Sequence, residues 1–392
     1  MKSLFEGSPG TQRGADIIAR IDAFIAMDLQ PLADSAGYDH ESGAPREVLR
    51  GVWQRSRARG LYGIQLPEAI GGAGLSIVEQ VQIKEHIYGS GCPLGPHIMG
   101  ELSGPPRVGA LYRHATPVQI ERFIKPVLEA RKAACFALTE ENAGSDAGAA
   151  ATRAVRSADG WLLNGKKKYI SGSPHADLAI VIASTSEDPA ARELSAFFVE
   201  ADRPGYRVEA GYRTLAGQGH TGDIVLDNVA IPDENLIGTR GRGLALAMGR
   251  IAVNRLLHCP AMLGYARMAL ESSVAHANTR RQFGQPIGAF QAIQHLLADM
   301  ATDLAAARAL MFQVAAAIDA GADPRGQAAM AKLFCSETAF RIADRAVQVH
   351  GGAGIVQGHV VEWLFRMLRM YRIVTGTSEI QRNTIAKELL DV

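Results

Sequence analysis

The hydrophobic periodicity of this chain changes character twice, and that alternation constrains the fold more than any other feature. Over residues 16–29 apolar side chains recur at Ile17, Ile21, Phe24, Ile25 and Leu29, the spacing of one helix face. Further helices are expected over 77–88 and 117–128, with a glycine-rich loop at 66–74 punctuating the segment. Near Cys135 the pattern shifts to short apolar runs, with candidate strands at 177–184, 195–200 and 223–227. Ser157-Ala158-Asp159-Gly160 and Asn164-Gly165 read as hairpin turns. Strands joined so closely are expected to be antiparallel, because a parallel crossover takes a dozen residues or more. After Gly243, long helices rich in alanine and leucine return over 244–279, 290–320 and 327–350, and a last helical pair flanks Thr375. The chain reads as a helical segment, a small all-β domain and a second helical segment, without internal repeats.

A length of 392 residues suits two or three domains. With 41 Lys+Arg against 40 Asp+Glu the formal charge is +1, which argues against a nucleic-acid partner or an anionic membrane surface. Hydrophobic residues make up 47% and charged residues 21%, the balance of a folded globular chain. No apolar run approaches the roughly 18 residues of a membrane helix, so no membrane insertion is expected. The first residues, Met1-Lys2-Ser3-Leu4-Phe5-Glu6-Gly7, lack a secretory apolar region, and the expected compartment is the cytoplasm. Cys92, Cys135, Cys259 and Cys335 form no Cys-x-x-Cys pair and read as small buried hydrophobes. The eleven histidines show no ligand-like clustering, and no metal is expected. Gly217-Gln218-Gly219-His220-Thr221-Gly222 matches the dinucleotide fingerprint formally, but the strand-like Asp223-Ile224-Val225-Leu226 follows where a helix should open. Arg366, Arg369 and Arg372 recur every three residues and read as a solvated or salt-bridged helix face.

Three segments are more specific. Phe136-Ala137-Leu138-Thr139-Glu140-Glu141-Asn142-Ala143-Gly144-Ser145-Asp146 resembles the first signature of the acyl-CoA dehydrogenase family. Gln348 to Gly354, followed by Arg372-Ile373-Val374-Thr375-Gly376-Thr377-Ser378-Glu379-Ile380-Gln381-Arg382, resembles the second. Arg280-Arg281-Gln282-Phe283-Gly284, with Gln291 and Leu297-Ala298-Asp299-Met300 after it, is a third match in the same order. The resemblance implies an α+β multidomain fold. Its parts would be an N-terminal helical domain (1–133), a central antiparallel β-barrel-like domain (134–240) and a C-terminal four-helix-bundle domain (241–392).

It also implies FAD held between the β domain and the C-terminal helices, with acyl-CoA against the flavin. Flavin contacts would fall on Phe136, Leu138, Thr139, Gly144 and Ser145, a loop able to offer backbone N–H groups and a hydroxyl. Tyr169 stands where the family usually has a flavin-packing tryptophan, and Ser171 matches a hydroxyl that bonds the flavin. Arg280 and Phe283 match residues that reach a neighbouring subunit's cofactor, which implies a homotetramer or homodimer. Gln348, Gly352, Thr377 and Glu379 match further FAD contacts. Ser145 and Arg255 match acyl-CoA contacts, Tyr371 matches the acyl-pocket lining, and Glu101 lies in the loop towards the pocket floor. The implied electron partner is an electron-transfer flavoprotein.

The implied reaction is α,β-desaturation of an acyl thioester: a carboxylate takes the α-proton while the β-hydrogen leaves as hydride to the flavin. Hydrogen bonds to the thioester carbonyl stabilise the developing enolate. The position that carries this base in most members is Thr375, and the alternative position is Asn254. Neither side chain is a base at physiological pH. Either the base has moved or the usual dehydrogenation has been replaced. For a moved base, His258 comes first, four residues after Asn254 on one helical face and with an ordinary pKa of about 6.5. Glu101 comes second, while Glu379 matches a cofactor contact. The other branch holds an enoyl-thioester reductase, a flavin monooxygenase-like member that needs no α-proton base, and a base-less subunit of a mixed assembly.

Overall fold

The computed structural model describes residues 10–188, 191–209 and 211–390, which gather into two compact units. The main helices are α1 (Gln12–Phe24), α2 (Gln30–Ala36), α3 (Arg46–Ala58), α4 (Ile77–Tyr88), α5 (Gly243–Thr279), α6 (Gln291–Asp319), α7 (Pro324–His350), α8 (Val360–Met370) and α9 (Ser378–Leu390). Between α4 and α5 lie β1 (Ala134–Ala137), β2 (Arg153–Ser157), β3 (Gly160–Ser171), β4 (Leu178–Ser184), β5 (Leu194–Glu200), β6 (Tyr206–Val208), β7 (Tyr212–Thr214), β8 (Gly217–Ile231) and β9 (Leu236–Ile237).

Among the described residues, the helical unit comprises residues 10–41, 76–95 and 251–390. Its first helix begins before residue 16 because Thr11 caps it, Thr11 Oγ1 accepting from Gly14 N at 2.9 Å. A π-helical turn, Ile25–Leu29, joins α1 to α2. α4 starts in a capping box, with Ser76 and Glu79 each bonding the other's backbone. Helices α5 to α8 bury one shared core. It draws Leu256, Met262 and Leu270 from α5, Met300 and Leu304 from α6, Ile342 from α7, and Leu364 and Leu368 from α8. Such burial contributes roughly 1.5–3 kcal/mol per large side chain. α7 adds mainly small residues, including Ala328, Ala331, Ala339 and Ala343, which lets α6, α8 and α9 pack closely around it. Contrary to the expectation that no apolar run reaches membrane-helix length, α6 has an 18-residue window of mean hydropathy 1.3. Only a third of that window is buried within this chain.

The second unit comprises Ser42–Leu75 and Pro96–Arg250. Its sheet runs β6-β8-β3-β2-β4-β5-β9, with β1 joining β4 and β7 joining β8. The path is open, so the barrel-like expectation is corrected to a sheet that does not close. The all-antiparallel expectation fails as well. β1 pairs parallel with β4 from Ala134↔Leu178 to Ala137↔Val181, and β2 meets β4 in parallel at Arg153↔Ser184. The connection over 138–177 contains a whole hairpin, long enough for a crossover.

Ala158-Asp159 turns between β2 and β3 as expected. Asn164-Gly165 makes no turn; it lies inside β3 at a bulge. A Cβ on Gly165 would stand 2.6 Å from Thr152 Oγ1, and Asn164 Oδ1 accepts from Asn228 N at 2.8 Å across the sheet. The dipeptide permits a close approach where a hairpin was expected.

Alternate residues of β4 and β5 face two cores. Ile180, Ile182 and Phe198 pack with Phe123, Ile124 and Val127 of the 117–128 helical stretch. Val181, Phe197 and Val199 pack with Trp161, Leu163 and Ile224. Burial on both faces explains the unbroken apolar runs. The dinucleotide-like glycines lie within β8, and all four cysteines are buried and free.

Candidate active site

In the sheet-containing unit β1 leads into the first signature. Phe136, Leu138 and Thr139 are half-buried, while Gly144 and Ser145 are exposed. No atom lies within 4 Å of where a Gly144 Cβ would stand, beyond its chain neighbours. Glu140 anchors this loop. Its carboxylate accepts from Lys167 Nζ at 2.6 Å, Ala151 N at 2.6 Å and Thr152 N at 3.0 Å. Wholly buried Lys167 also donates to Leu138 O at 3.1 Å, and Lys168 N donates to Thr139 O at 2.8 Å. Burial opposes the Glu140 charge, but Lys167 and the hydrogen bonds outweigh it and hold the carboxyl below its ordinary range. Burial lowers the Lys167 ammonium, against the pull of Glu140. Three successive signature residues are thereby tied to the strand that carries Tyr169 and Ser171.

Tyr169 is exposed at φ +58°, 5.3 Å from the Tyr212 ring. Asp223 fixes it by accepting from Tyr169 N at 3.2 Å and from Tyr212 Oη at 2.8 Å. Ser171 is exposed next to Gly172, whose N–H donates to His220 O at 2.6 Å. Behind this turn the fold gathers three histidines that are far apart in sequence. His175 Nε2 and His220 Nδ1 are 2.7 Å apart, and the His97 ring stands edge-on to His220 at 6.1 Å. Burial, reinforced by neighbouring imidazoles, lowers His97 to about 3 and His220 to about 4. Burial lowers His175 too, with Arg46 adding to it. His97 Nδ1, His175 Nδ1 and His220 Nε2 are buried without a hydrogen-bond partner. Among the described residues no group of three or more His, Cys, Asp or Glu is arranged to hold a metal ion. Glu101 is half-buried in this unit and lies in the electrostatic field of Arg250.

In the helical unit α5 carries Asn254, Arg255 and His258. Arg255 is buried, which lowers its guanidinium, and its Nη1 donates to Thr384 Oγ1 at 3.5 Å. Asn254 and His258 are half-buried, and the His258 ring lies 6.3 Å from that of buried Tyr371. Thr375 adopts φ +59°, a region that β-branched residues avoid at a cost of about 1–3 kcal/mol. Two side chains hold it there. Gln381 Nε2 donates to Thr375 O at 3.3 Å and to Gly376 O at 2.9 Å, and Lys332 Nζ donates to Gly376 O at 2.9 Å. Lys332 is wholly buried, and burial lowers it to about 8. Thr377 Oγ1 accepts from Ile380 N at 3.3 Å at the start of α9. Exposed Glu379 is held below its ordinary range by a backbone N–H there and by Thr377.

Phe283 and Gly284 turn a short hairpin at φ +49° and +81°, and this conformation leaves the Phe283 ring 93% exposed. Arg280, Gln348 and Gly352 are also exposed. His276 stacks on His350 at 4.4 Å, so the ends of α5 and α7 that lead to these residues lie together. Five described non-glycine residues have positive φ, and three of them (Tyr169, Phe283 and Thr375) are site positions expected from the sequence. Arg366 pairs with Glu41 and Glu362, and Arg372 with Glu337, a salt-bridged face as read.

Residues 11–131, 135–229 and 241–390 match the N-terminal, middle and C-terminal domains of acyl-CoA dehydrogenases. The chain belongs to the acyl-CoA dehydrogenase family. It is 35% identical over 370 residues to the 3-(aryl)acrylate reductase of Clostridium sporogenes, covering 94% of this chain and 96% of that one. It is 35% identical over 354 residues to the CarC subunit of the caffeyl-CoA reductase–Etf complex of Acetobacterium woodii, covering 89% and 91%. A glutaryl-CoA dehydrogenase from Mycobacterium smegmatis, solved in complex with FADH2, aligns at a TM-score of 0.85 and 25% identity, covering 97% and 95%.

The residues of this acyl-CoA dehydrogenase family member fit such a cofactor. Bare glycines at 144 and 352 leave space, and Ser145 and Ser171 present exposed hydroxyls. Sequence reasoning missed Lys167, Lys332 and Arg250. For Lys332 a signal was available, since it shares a helix with Ala328, Ala331, Cys335 and Ala339, where a lysine needs a buried acceptor.

Proposed function

We propose that this chain is an FAD-dependent oxidoreductase acting on the α,β carbon–carbon bond of an acyl-CoA thioester, with the Cα proton handled by a group other than residues 375 and 254. One observation carries the reading: the cofactor-contact positions are filled and largely solvent-facing, while the two carboxylate positions hold Thr375 and Asn254. FAD is assigned to Phe136, Leu138, Thr139, Gly144, Ser145, Tyr169 and Ser171, and to Gln348, Gly352, Thr377 and Glu379. Arg280 and Phe283 would reach it from a second copy in a homotetramer or homodimer. Exposed Phe283, Ile355 and Val356 support such an interface. Bound FAD supplies the hydride acceptor. Arg255, Ser145 and Tyr371 are assigned to the thioester, and His258, beside Tyr371, to the Cα proton. An electron-transferring flavoprotein is the proposed redox partner, a reading supported by the Etf complex of the A. woodii relative. The reading takes 1–133, 134–240 and 241–392 as the domains and the cytoplasm as the compartment.

Anaerobic titration of the purified yellow protein with saturated acyl-CoAs tests this. Bleaching of the flavin is expected, and His258→Ala should abolish it while retaining FAD. Unchanged single-turnover reduction in that variant removes His258 from the mechanism. A second reading, reduction of an enoyl thioester, is favoured by the names of both bacterial relatives. It is selected if saturated thioesters fail to bleach the flavin but an enoyl-CoA reoxidises chemically reduced enzyme. If neither occurs, NAD(P)H-dependent oxygen uptake by the flavin marks a monooxygenase-like member, and its absence marks a silent subunit.

A further inference from the structure

Arg250 stands out among the cations of the sheet-containing unit. It lies on α5 one turn before Asn254, so the two share a helix face about 6 Å apart along the axis. Its guanidinium carbon sits 4.7 Å above the centroid of Phe136, the first residue of the signature loop. Its Nε is shut off from water with no hydrogen-bond partner. The charged groups that face it are Arg107, which repels it, and Glu101, which attracts it without closing to a salt bridge. Arg107 Nε is itself held by Leu102 O at 2.9 Å.

A guanidinium cannot shed its charge near neutral pH, so this half-buried one stays a cation with its Nε out of reach of water. The face of one phenylalanine offsets only a small part of the desolvation involved. Elsewhere in this chain buried cations have acceptors: Lys167 has Glu140 and Leu138 O, and Lys332 has Gly376 O. The Arg250 Nε has none, and the guanidinium stands against Phe136, a proposed flavin contact, one helical turn before Asn254, the alternative base position.

We propose that Arg250 receives a carboxylate carried on the acyl chain, so that the preferred substrates are CoA thioesters of dicarboxylic acids over plain alkyl ones. This rests on the reading of the chain as an acyl-CoA oxidoreductase and narrows its substrate class. A planar guanidinium recognises a carboxylate through two parallel hydrogen bonds, which a methyl end cannot accept.

The test uses the FAD-loaded protein and matched pairs of thioesters, glutaryl-CoA against valeryl-CoA and adipyl-CoA against hexanoyl-CoA. Binding is read from the perturbation of the flavin spectrum, and turnover from anaerobic bleaching. The wild type is expected to bind the carboxyl-ended member at least about tenfold more tightly, the least that one charge-assisted pair should yield. Arg250→Met should bring that ratio to about one by weakening only the carboxyl-ended thioester, and Arg250→Lys should keep part of it. If Arg250→Met loses FAD or fails to fold, the wild-type ratio and the lysine variant still decide. Tighter binding of the methyl-ended members, or an equal loss for both in Arg250→Met, overturns the carboxylate assignment and leaves the acyl-CoA reading standing. A change in the flavin spectrum of substrate-free Arg250→Met with no change in the ratio assigns Arg250 to the cofactor and also overturns it. Binding of no thioester at all overturns both.

Discussion

Mild acid should destabilise the sheet-containing unit through its buried histidines. His97 is held to about 3 and His220 to about 4, whereas each titrates near 6.5 in the unfolded chain. The unfolded state therefore takes up the proton first. Each neutral imidazole contributes its full stability above pH 6.5 and loses it as pH falls towards the folded-state value. The loss is about 1.4 kcal/mol per pH unit per imidazole, so at about pH 5 the pair should have removed roughly 4 kcal/mol. His175 is shifted the same way and adds to it, although its contact with His220 couples the two titrations. Against a total of about 5–15 kcal/mol for a typical domain, this is a large fraction. Most unfolded-state carboxylates titrate near 4 and leave the window from about pH 7 to pH 5 clear. Urea unfolding of the FAD-saturated protein, followed by tryptophan fluorescence, reads the effect, with Trp53 and Trp161 both buried in this unit. His97→Gln should lose roughly 2 kcal/mol less than the wild type between about pH 7 and pH 5. Identical pH slopes for the two proteins would refute the assignment of a buried, neutral His97.

Three further outcomes are expected. Lys167→Met should destabilise the protein by about 3–5 kcal/mol and weaken FAD binding, because Glu140 is left as a buried charge under the signature loop; urea unfolding and FAD dissociation measure both. Thr375→Glu restores a carboxylate at the usual base position, and flavin bleaching by a saturated acyl-CoA should accelerate by about a hundredfold or more in stopped flow. No acceleration would mean that residue 375 does not face the Cα proton. Lys332→Met should lower stability by about 1–3 kcal/mol in thermal or urea unfolding, since the Gly376 carbonyl keeps only Gln381; an unchanged midpoint would show that Gln381 alone holds Thr375 at its positive φ.

The candidate site was legible in the sequence where it is local. The Gly144-Ser145 loop, the Arg280–Gly284 motif and the absence of an acid at Thr375 and Asn254 are all short-range facts, and the structure lays the first two out as exposed segments. It was illegible where side chains distant in sequence meet. Lys167 reaches back to Glu140, Lys332 reaches forward to Gly376, and Arg250 meets Phe136 while its Nε finds no acceptor. Asn164-Gly165 shows the limit within a single dipeptide, since the same pair suits a turn or a bulge and the neighbour Thr152 decides which.

By itself the sequence determined the alternation of helix and strand, the apolar runs of β4 and β5 and the family, because periodicity and contiguous motifs depend on neighbours along the chain. Tertiary structure alone decided the parallel pairing of β1 with β4, the openness of the sheet and the meeting of His97, His175 and His220. Those features depend on which distant segments share the space left by packing, and on how buried charges and imidazoles find partners once water is excluded.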